Sequence, residues 1–515
     1  MAITPKWLEN AIFYQVYPQS FKDTDGDGIG NIDGITEKLP YIKKLGCNAV
    51  WINPCFVSPF GDAGYDVADY CTIAPRYGTN DDMKRLFEKA HELDMHILLD
   101  LVPGHTSVEH EWFKKSMQAE KNEYTDRYVW TDSVWEEPQG MGCIRGISDR
   151  DGSCAVNFFS HQPALNYGYY KCERPWQQPM EADGPRATLE AIKDVMRFWL
   201  SMGCDGFRVD MAGSLVKNDV DGKGNIALWQ NVRGFLDREY PEAALVSEWG
   251  EPDKSLAGGF HMDFLLHFGP SHYNDLFRCA EPFFSPNGKG DVSLFVEKYC
   301  ESRSKTGGMG LICIPSGNHD MDRLARSIQG VDLKIAFAFL LTMPGVPFIY
   351  YGDEIGMRYV EGLTSVEGGY GRTGSRSPMQ WDATKNAGFS NADEDRLYIP
   401  LDGSADRPTV EAQMSDENSL WNEIRRLTEL RKAHKALQNG SGIEFVYAKK
   451  NAYPLAYLRM CGDEIILVVI NPSDKEVSLP CLYRPKQTLY SIGVPVSKDG
   501  ASLLVSARSA GAYLV

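Results

Sequence analysis

The 515-residue chain has no apolar run long enough to cross a bilayer. A span needs roughly 18–20 such residues, and the nearest candidate, IAFAFLLTMPGVPFIYYG, is divided by Pro344 and Pro347. Positive charge is also scarce. Lys and Arg total 53 against 70 Asp and Glu, a formal net charge of −17, which argues against nucleic acid or an anionic membrane surface as the main partner. The first residues, MAITPKWLENAIFYQVYP, lack a basic segment followed by an apolar core, so no secretion signal is expected. None of the twelve cysteines belongs to a close metal-binding pair. Many lie in apolar stretches such as LGCNAVWIN and GLICIPSGNHD, and free thiols in a reducing cytoplasm are the expected state. No internal repeat or low-complexity tract stands out. Hydrophobic residues at 43% and aromatics at 11% leave ample material for packed cores.

Short apolar runs alternate with amphipathic stretches over most of the length. The expected strands cover 11–18, 48–53, 96–102, 206–212, 243–249, 260–266, 311–317 and 346–352. Between them, NDDMKRLFEKAHELD, ATLEAIKDVMRFWLSMG and IALWQNVRGFLDREYP repeat apolar residues every three or four positions, as helices do. Several begin at Asn, Asp or Thr and end near Gly. Strands each followed by a helix predict an α/β (β/α)₈ barrel, built from residues 1–104 and 188–440. Residues 105–187 are too long for a loop and read as a small domain inserted after the third strand. From 441 to 515, alternating runs broken by Gly, Pro and Asp predict a C-terminal antiparallel β-sandwich.

In such a barrel the site forms at the C-terminal strand ends. Asp100 and His105 lie at and beyond the third of these, Arg208 and Asp210 at the fourth, Glu248 at the fifth, and His319 and Asp320 after the seventh. In GFRVDMAG the alternation points Phe207, Val209 and Met211 one way and Arg208, Asp210 and Ala212 the other. Burying Arg208 or Asp210 unpaired is costly, so the two form an ion pair or line a polar site. Carboxylates gathered at one rim suit glycoside hydrolysis, in which one attacks the anomeric carbon and another protonates the leaving oxygen.

The ordered set DLVPGH (100–105), GFRVD (206–210), SEWG (247–250), NHD (318–320) and GVPFIYYGDEIG (345–356) resembles the α-amylase family of glycoside hydrolases. The resemblance implies Asp210 as nucleophile, Glu248 as acid/base and Asp320 as transition-state-stabilising carboxylate. It implies that His105, His319 and Arg208 hold the first sugar ring, that Tyr65 stacks against it, and that Asp66 grips it. GYDVADY (64–70) and GRTGSRSPMQWD (371–382) are similar to the oligo-1,6-glucosidase and α-glucosidase branch. There an arginine, here Arg376 with Arg372 as the alternative, pairs with that aspartate and closes the pocket. Such a pocket admits only a chain end. The implied activity is a retaining, exo-acting α-glucosidase on short oligosaccharides or small α-glucosides, the alternative being a glucosyl transferase or a sucrose or trehalose isomerase.

DTDGDGIGNID (23–33) carries acids at alternate positions and Gly28 at the sixth, like an EF-hand loop, but the twelfth position is Gly34. The branch holds calcium or magnesium in a loop of this form, which implies Asp23, Asp25, Asp27, the Ile29 carbonyl, Asn31 and Asp33 as ligands of a structural Ca²⁺ or Mg²⁺. Four departures stand out: Gly104 in place of the family's Asn, Ala164 in place of Asp in HQPALN, Met211 after the nucleophile, and MAGSL without the Lys-His pair of endo-amylases. His91, His96 and His110 are expected to be surface or structural, and Trp7, Trp199 and Trp421 to be core.

Overall fold

The computed structural model describes residues 5–515 apart from 287 and 289. Among them, eight parallel strands follow one another around a barrel: β1 (Phe13–Val16), β2 (Ala49–Ile52), β3 (His96–Leu101), β4 (Gly206–Val209), β5 (Ala244–Ser247), β6 (Met262–Phe264), β7 (Leu311–Cys313) and β8 (Phe348–Tyr350). Sequential neighbours pair in parallel, β8 returns to β1, and a bridge from Pro315 to Phe348 closes the ring. All eight fall inside the segments expected from the sequence, and each is shorter, because the last residues of each run bend out of the ladder into loops.

Each strand is followed by a helix: α1 (Ile32–Leu45), α2 (Asn80–Glu92), α3 (Asp183–Met202), α4 (Lys223–Glu239), α5 (Pro252–Ala257), α6 (Ser293–Lys305), α7 (Val331–Thr342) and α8 (Leu420–Ala433). Their ends follow local chemistry. The Asn31 side chain caps α1 by accepting the Gly34 N–H, and Gly46 ends that helix at φ 106°, a conformation that Gly adopts at little cost. Thr79 and Asp82 form a reciprocal capping box at the start of α2.

The period of two sorts the strands into two cores. Phe13, Ala49, Trp51, Leu98, Val246, Phe264 and Phe348 fill the barrel interior. Their neighbours Tyr14, Val50, Ile97, Phe207 and Leu245 pack outward against the helices. Trp199 and Trp421 are buried in that outer layer, whereas Trp7 is only partly buried and stacks on His96. His91 and His96 both bond Asp205, and His110 caps a short helix.

The segment between β3 and α3 contains the helix Glu111–Ser116 and the hairpin Gly142–Ile144 with Cys154–Val156. Bridges from His105 to Ala164 and from Tyr169 to Lys217 tie it to the barrel. Helix α3 starts at Asp183, before the position 188 expected for the barrel's return. At the C-terminus, β9 (Gly442–Tyr447), β10 (Leu455–Cys461), β11 (Glu464–Asn471), β12 (Val477–Pro480), β13 (Gln487–Ile492), β14 (Ser497–Asp499), β15 (Ser502–Val505) and β16 (Ser509–Leu514) form two antiparallel sheets. Their orders are β9-β10-β11-β16-β13 and β12-β15-β14, and Leu458, Leu467, Leu479 and Leu503 meet between them in one core. Among the described residues no helix is long and apolar enough to cross a membrane.

Candidate active site

The inward face of β4 supplies Arg208, whose guanidinium is buried and joins three carboxylates. Its Nη1 donates to Asp100 at 2.9 Å and to Asp210 at 2.8 Å, and its Nη2 lies 2.9 Å from Glu248. Asp100 is at the end of β3, paired in register with Arg208, and also accepts from Trp51 and Tyr65 at 3.1 and 2.9 Å. It is therefore the inner counter-ion of Arg208.

The expected alternation stops at Asp210. Met211 takes a left-handed φ of 45°, turns into the cavity, and donates its N–H to Glu248 at 3.2 Å. Ala212 turns back into the outer core. The expectation that Met211 shares a face with Val209 is thus corrected: β4 ends at Val209, and strand periodicity ends with it. A positive φ on a residue with a side chain is strained backbone of the kind found at functional sites.

After β7, His319 is fixed by polar groups of the barrel. Its Nδ1 accepts from Gln15 at 3.0 Å and Asn53 at 3.1 Å, so Nε2 carries the hydrogen. That nitrogen lies 2.8 Å from the Tyr65 hydroxyl and 3.2 Å from Asp320. The rings of Tyr65 and His319 stack at 5.4 Å. His105 directs Nε2 to the Tyr65 carbonyl at 3.1 Å and Nδ1 to Asn157 at 3.2 Å.

The expected pair between Asp66 and Arg376 does not form. Asp66 is wholly buried and accepts from Ser58, the Gly61 N–H and the Asp62 N–H at 2.9, 2.7 and 3.1 Å. Its carboxylate folds the turn before Tyr65 and is used up there. Asp62 takes the cavity-facing position instead; Gln162 donates to it at 2.8 Å, and the Arg372 guanidinium lies 4.0 Å away as a long ion pair. Arg376 is buried behind Asp320, bonding it at 3.0 Å and the His319 carbonyl at 2.9 Å, whereas Arg372 lines the cavity and reaches Asp320 at 2.6 Å. FGDAGYD holds two acids four residues apart, and sequence alone does not show which one its own turn consumes.

Of these groups Asp62, Tyr65, His105, Asp210, Met211, Glu248, Asp320 and Arg372 line one cavity of about 720 Å³, whereas Arg208, His319 and Arg376 lie behind them. Charge and hydrogen-bonding groups crowd its base, and Phe158, Trp249, Phe268 and Tyr370 line the rest. Three of those rings are well exposed, at 63% for Phe158, 55% for Phe268 and 62% for Tyr370.

The carboxyls differ in proton affinity. Burial pushes Glu248 up to about 8, against the opposing charge of Arg208 and aided by Asp210 and Asp320. Burial also raises Asp210, but only to about 6, because Arg208 and a hydrogen bond from Glu248 favour its ionised form. For Asp320 burial again acts upward, but His319, Arg376 and Arg372 outweigh it and hold the carboxyl well below the usual range. Burial holds His319 well below the usual histidine value. Near neutrality the base of the cavity therefore presents a protonated Glu248 beside ionised Asp210 and Asp320.

Residues 15–440 match the α-amylase catalytic-domain family. The chain belongs to the α-amylase family. Glucan 1,6-alpha-glucosidase of Streptococcus pneumoniae is 30% identical over 94% of this chain and 95% of its own. Trehalose synthase/amylase of Mycolicibacterium smegmatis is 32% identical over 88% of this chain and 80% of its own. Isomaltulose synthase of Erwinia rhapontici, in a variant solved with sucrose, superposes with a TM-score of 0.82 at 26% identity, covering 99% of both chains. This α-amylase-family protein is an enzyme that acts on glycosidic bonds.

The family's usual Asn is Gly104 here, and its carbonyl accepts from Asn157 at 2.8 Å and from the Leu165 N–H at 3.1 Å. Ala164 is fully buried among Val129, Ala155 and Tyr169. The partly buried Lys217 ammonium donates to the Ser214 carbonyl at 2.8 Å and to Asn157 at 3.4 Å. Burial lowers it to about 8.

In the acidic loop, ligand atoms of Asp23, Asp25 and Asp27 lie within 4.8 Å of one another. Oxygen donors gathered so closely suit a hard cation. Asn31 lies in the same loop with its oxygen on the Gly34 N–H, and Asp33 is turned outward to Arg85 at 3.6 Å. Ile29 donates its N–H to Asp27 at 2.8 Å.

Proposed function

We propose that this protein is a retaining, exo-acting α-glucosidase that releases terminal glucose from short oligosaccharides or small α-glucosides. The observation that carries the reading is the Arg208 guanidinium, which holds Asp210 on one nitrogen and Glu248 on the other. Carboxyls bridged by one guanidinium stand close together, which supports direct attack by Asp210 rather than by an intervening water. Asp210 attacks the anomeric carbon while Glu248 gives its proton to the leaving oxygen, forming a glucosyl ester on Asp210. Glu248 then takes a proton from water, which attacks the same carbon and frees glucose in its original configuration. Asp320 stays ionised and faces the charge that develops on the ring. Tyr65 and His105 hold the sugar, Arg208 and His319 brace them and the acids from behind, and Asp62 with Arg372 closes the far end, which supports attack at a chain end.

Transfer or isomerisation uses the same ester with a sugar in place of water. The apolar rings at the mouth favour keeping that second reading, because aromatic faces retain sugars. Product analysis by NMR with maltose, isomaltose, sucrose and trehalose separates the two, with Asp210→Asn as blank. Free α-glucose with little new disaccharide is expected; new disaccharides would replace hydrolysis by transfer. The blank is expected to lose nearly all turnover at unchanged melting temperature.

The loop at Asp23, Asp25 and Asp27, with the Ile29 carbonyl and Asn31, holds a structural Ca²⁺ or Mg²⁺ in this reading. It supplies no catalytic group. The twelve unpaired thiols support work in a reducing cytoplasm.

A further inference from the structure

Asp263 is a carboxylate of the barrel wall that the reaction above does not use. It stands on β6 beside Ser247 of β5 and is fully buried. Its Oδ1 accepts the Ser247 hydroxyl at 2.7 Å and the backbone N–H groups of Trp249 and Gly250 at 3.2 and 3.4 Å. Its Oδ2 makes no hydrogen bond. All three donors lie within two residues of Glu248, on both sides of it, and Gly250 turns the chain with a φ of 76°. The Ser247 hydroxyl is anchored from below by Ser255 at 2.5 Å. A buried acid is costly, and here it is spent on holding one four-residue turn.

We infer that Asp263 is a positioning residue for proton transfer: it fixes the turn from Ser247 to Gly250, and through it the Glu248 carboxyl, against the leaving oxygen. This rests on the reading of Glu248 as acid/base. Burial raises Asp263 to about 7, but Oδ1 accepts in either protonation state. Asparagine, with an oxygen of the same reach, is therefore the conservative replacement.

The test compares kcat/KM on the disaccharide turned over fastest with kcat/KM on α-glucosyl fluoride. Fluoride departs without a proton, and kcat/KM reports steps only up to the covalent ester. Glu248→Gln is the benchmark: a loss of about 10²–10⁴-fold on the disaccharide, with a much smaller one on the fluoride. Asp263→Ala and Asp263→Val are expected to lose about 10–100-fold on the disaccharide, the scale of a misplaced catalytic group, with little loss on the fluoride. Asp263→Asn recovers most of the disaccharide rate. Ser247→Ala removes one donor without opening the wall, and gives the same split at smaller amplitude even if the Asp263 variants unfold. Equal losses on both substrates across these variants, or none, would overturn the inference. No split in Glu248→Gln would instead overturn the reading of Glu248.

Discussion

At the residue scale the site depends on unequal proton affinities among neighbouring acids. In the proposed mechanism, donation requires Glu248 protonated and attack requires Asp210 ionised. Activity is therefore lost above about 8 as Glu248 releases its proton and below about 6 as Asp210 takes one up. A bell-shaped kcat/KM profile with limbs near those values is expected, and a flat profile across them would contradict the assignment. The two arginines near Asp320 separate in the same way. Arg372 lines the cavity with a side chain 33% exposed, whereas that of Arg376 is 2% exposed. Arg372→Ala is expected to lower kcat/KM about 100-fold with little change in melting temperature. Arg376→Ala leaves a buried cavity wall without its cation and is expected to melt several degrees lower. Steady-state kinetics beside thermal unfolding checks both.

At the element scale, the loop before α1 has two tasks, because Asn31 caps the helix while Asp23, Asp25 and Asp27 converge a few residues earlier. Calcium or magnesium that binds the folded loop raises the melting temperature with concentration. The expected outcome is a rise on titrating Ca²⁺ into EDTA-treated protein, abolished in Asp25→Asn/Asp27→Asn. An identical melt with and without the ion would remove the metal proposal and leave the fold description untouched. Strand β4 shows where local reading fails. Period two predicts Arg208 and Asp210 correctly but puts Met211 on the wrong face, since a left-handed residue reverses the alternation.

At the scale of the whole molecule, a buried arginine joins barrel and sandwich. Arg459 of β10 donates to the Gln438 and Gly442 carbonyls at 2.8 and 3.1 Å and to the Thr342 carbonyl at the end of α7. Arg459→Met leaves those carbonyls unpaired, and a loss of about 2–4 kcal/mol is expected. Urea denaturation followed by tryptophan fluorescence measures it, and an unchanged midpoint would mean that the sandwich docks by apolar packing alone.

The barrel, its eight strands and the ends where charge gathers were legible in the amino-acid order, because alternating strands and amphipathic helices write their burial into local periodicity. So were Asp210, Glu248 and Asp320 as candidates, since acids next to apolar strand ends are conspicuous. Which acid faces the cavity was not legible. The folded turn brings backbone N–H groups to Asp66 and leaves Asp62 to the Gln162 side chain, and Arg372 and Arg376 differ in depth behind Asp320. Those choices, and the raised proton affinity of Glu248, come from burial and from groups distant in the chain. The tertiary structure alone decides them.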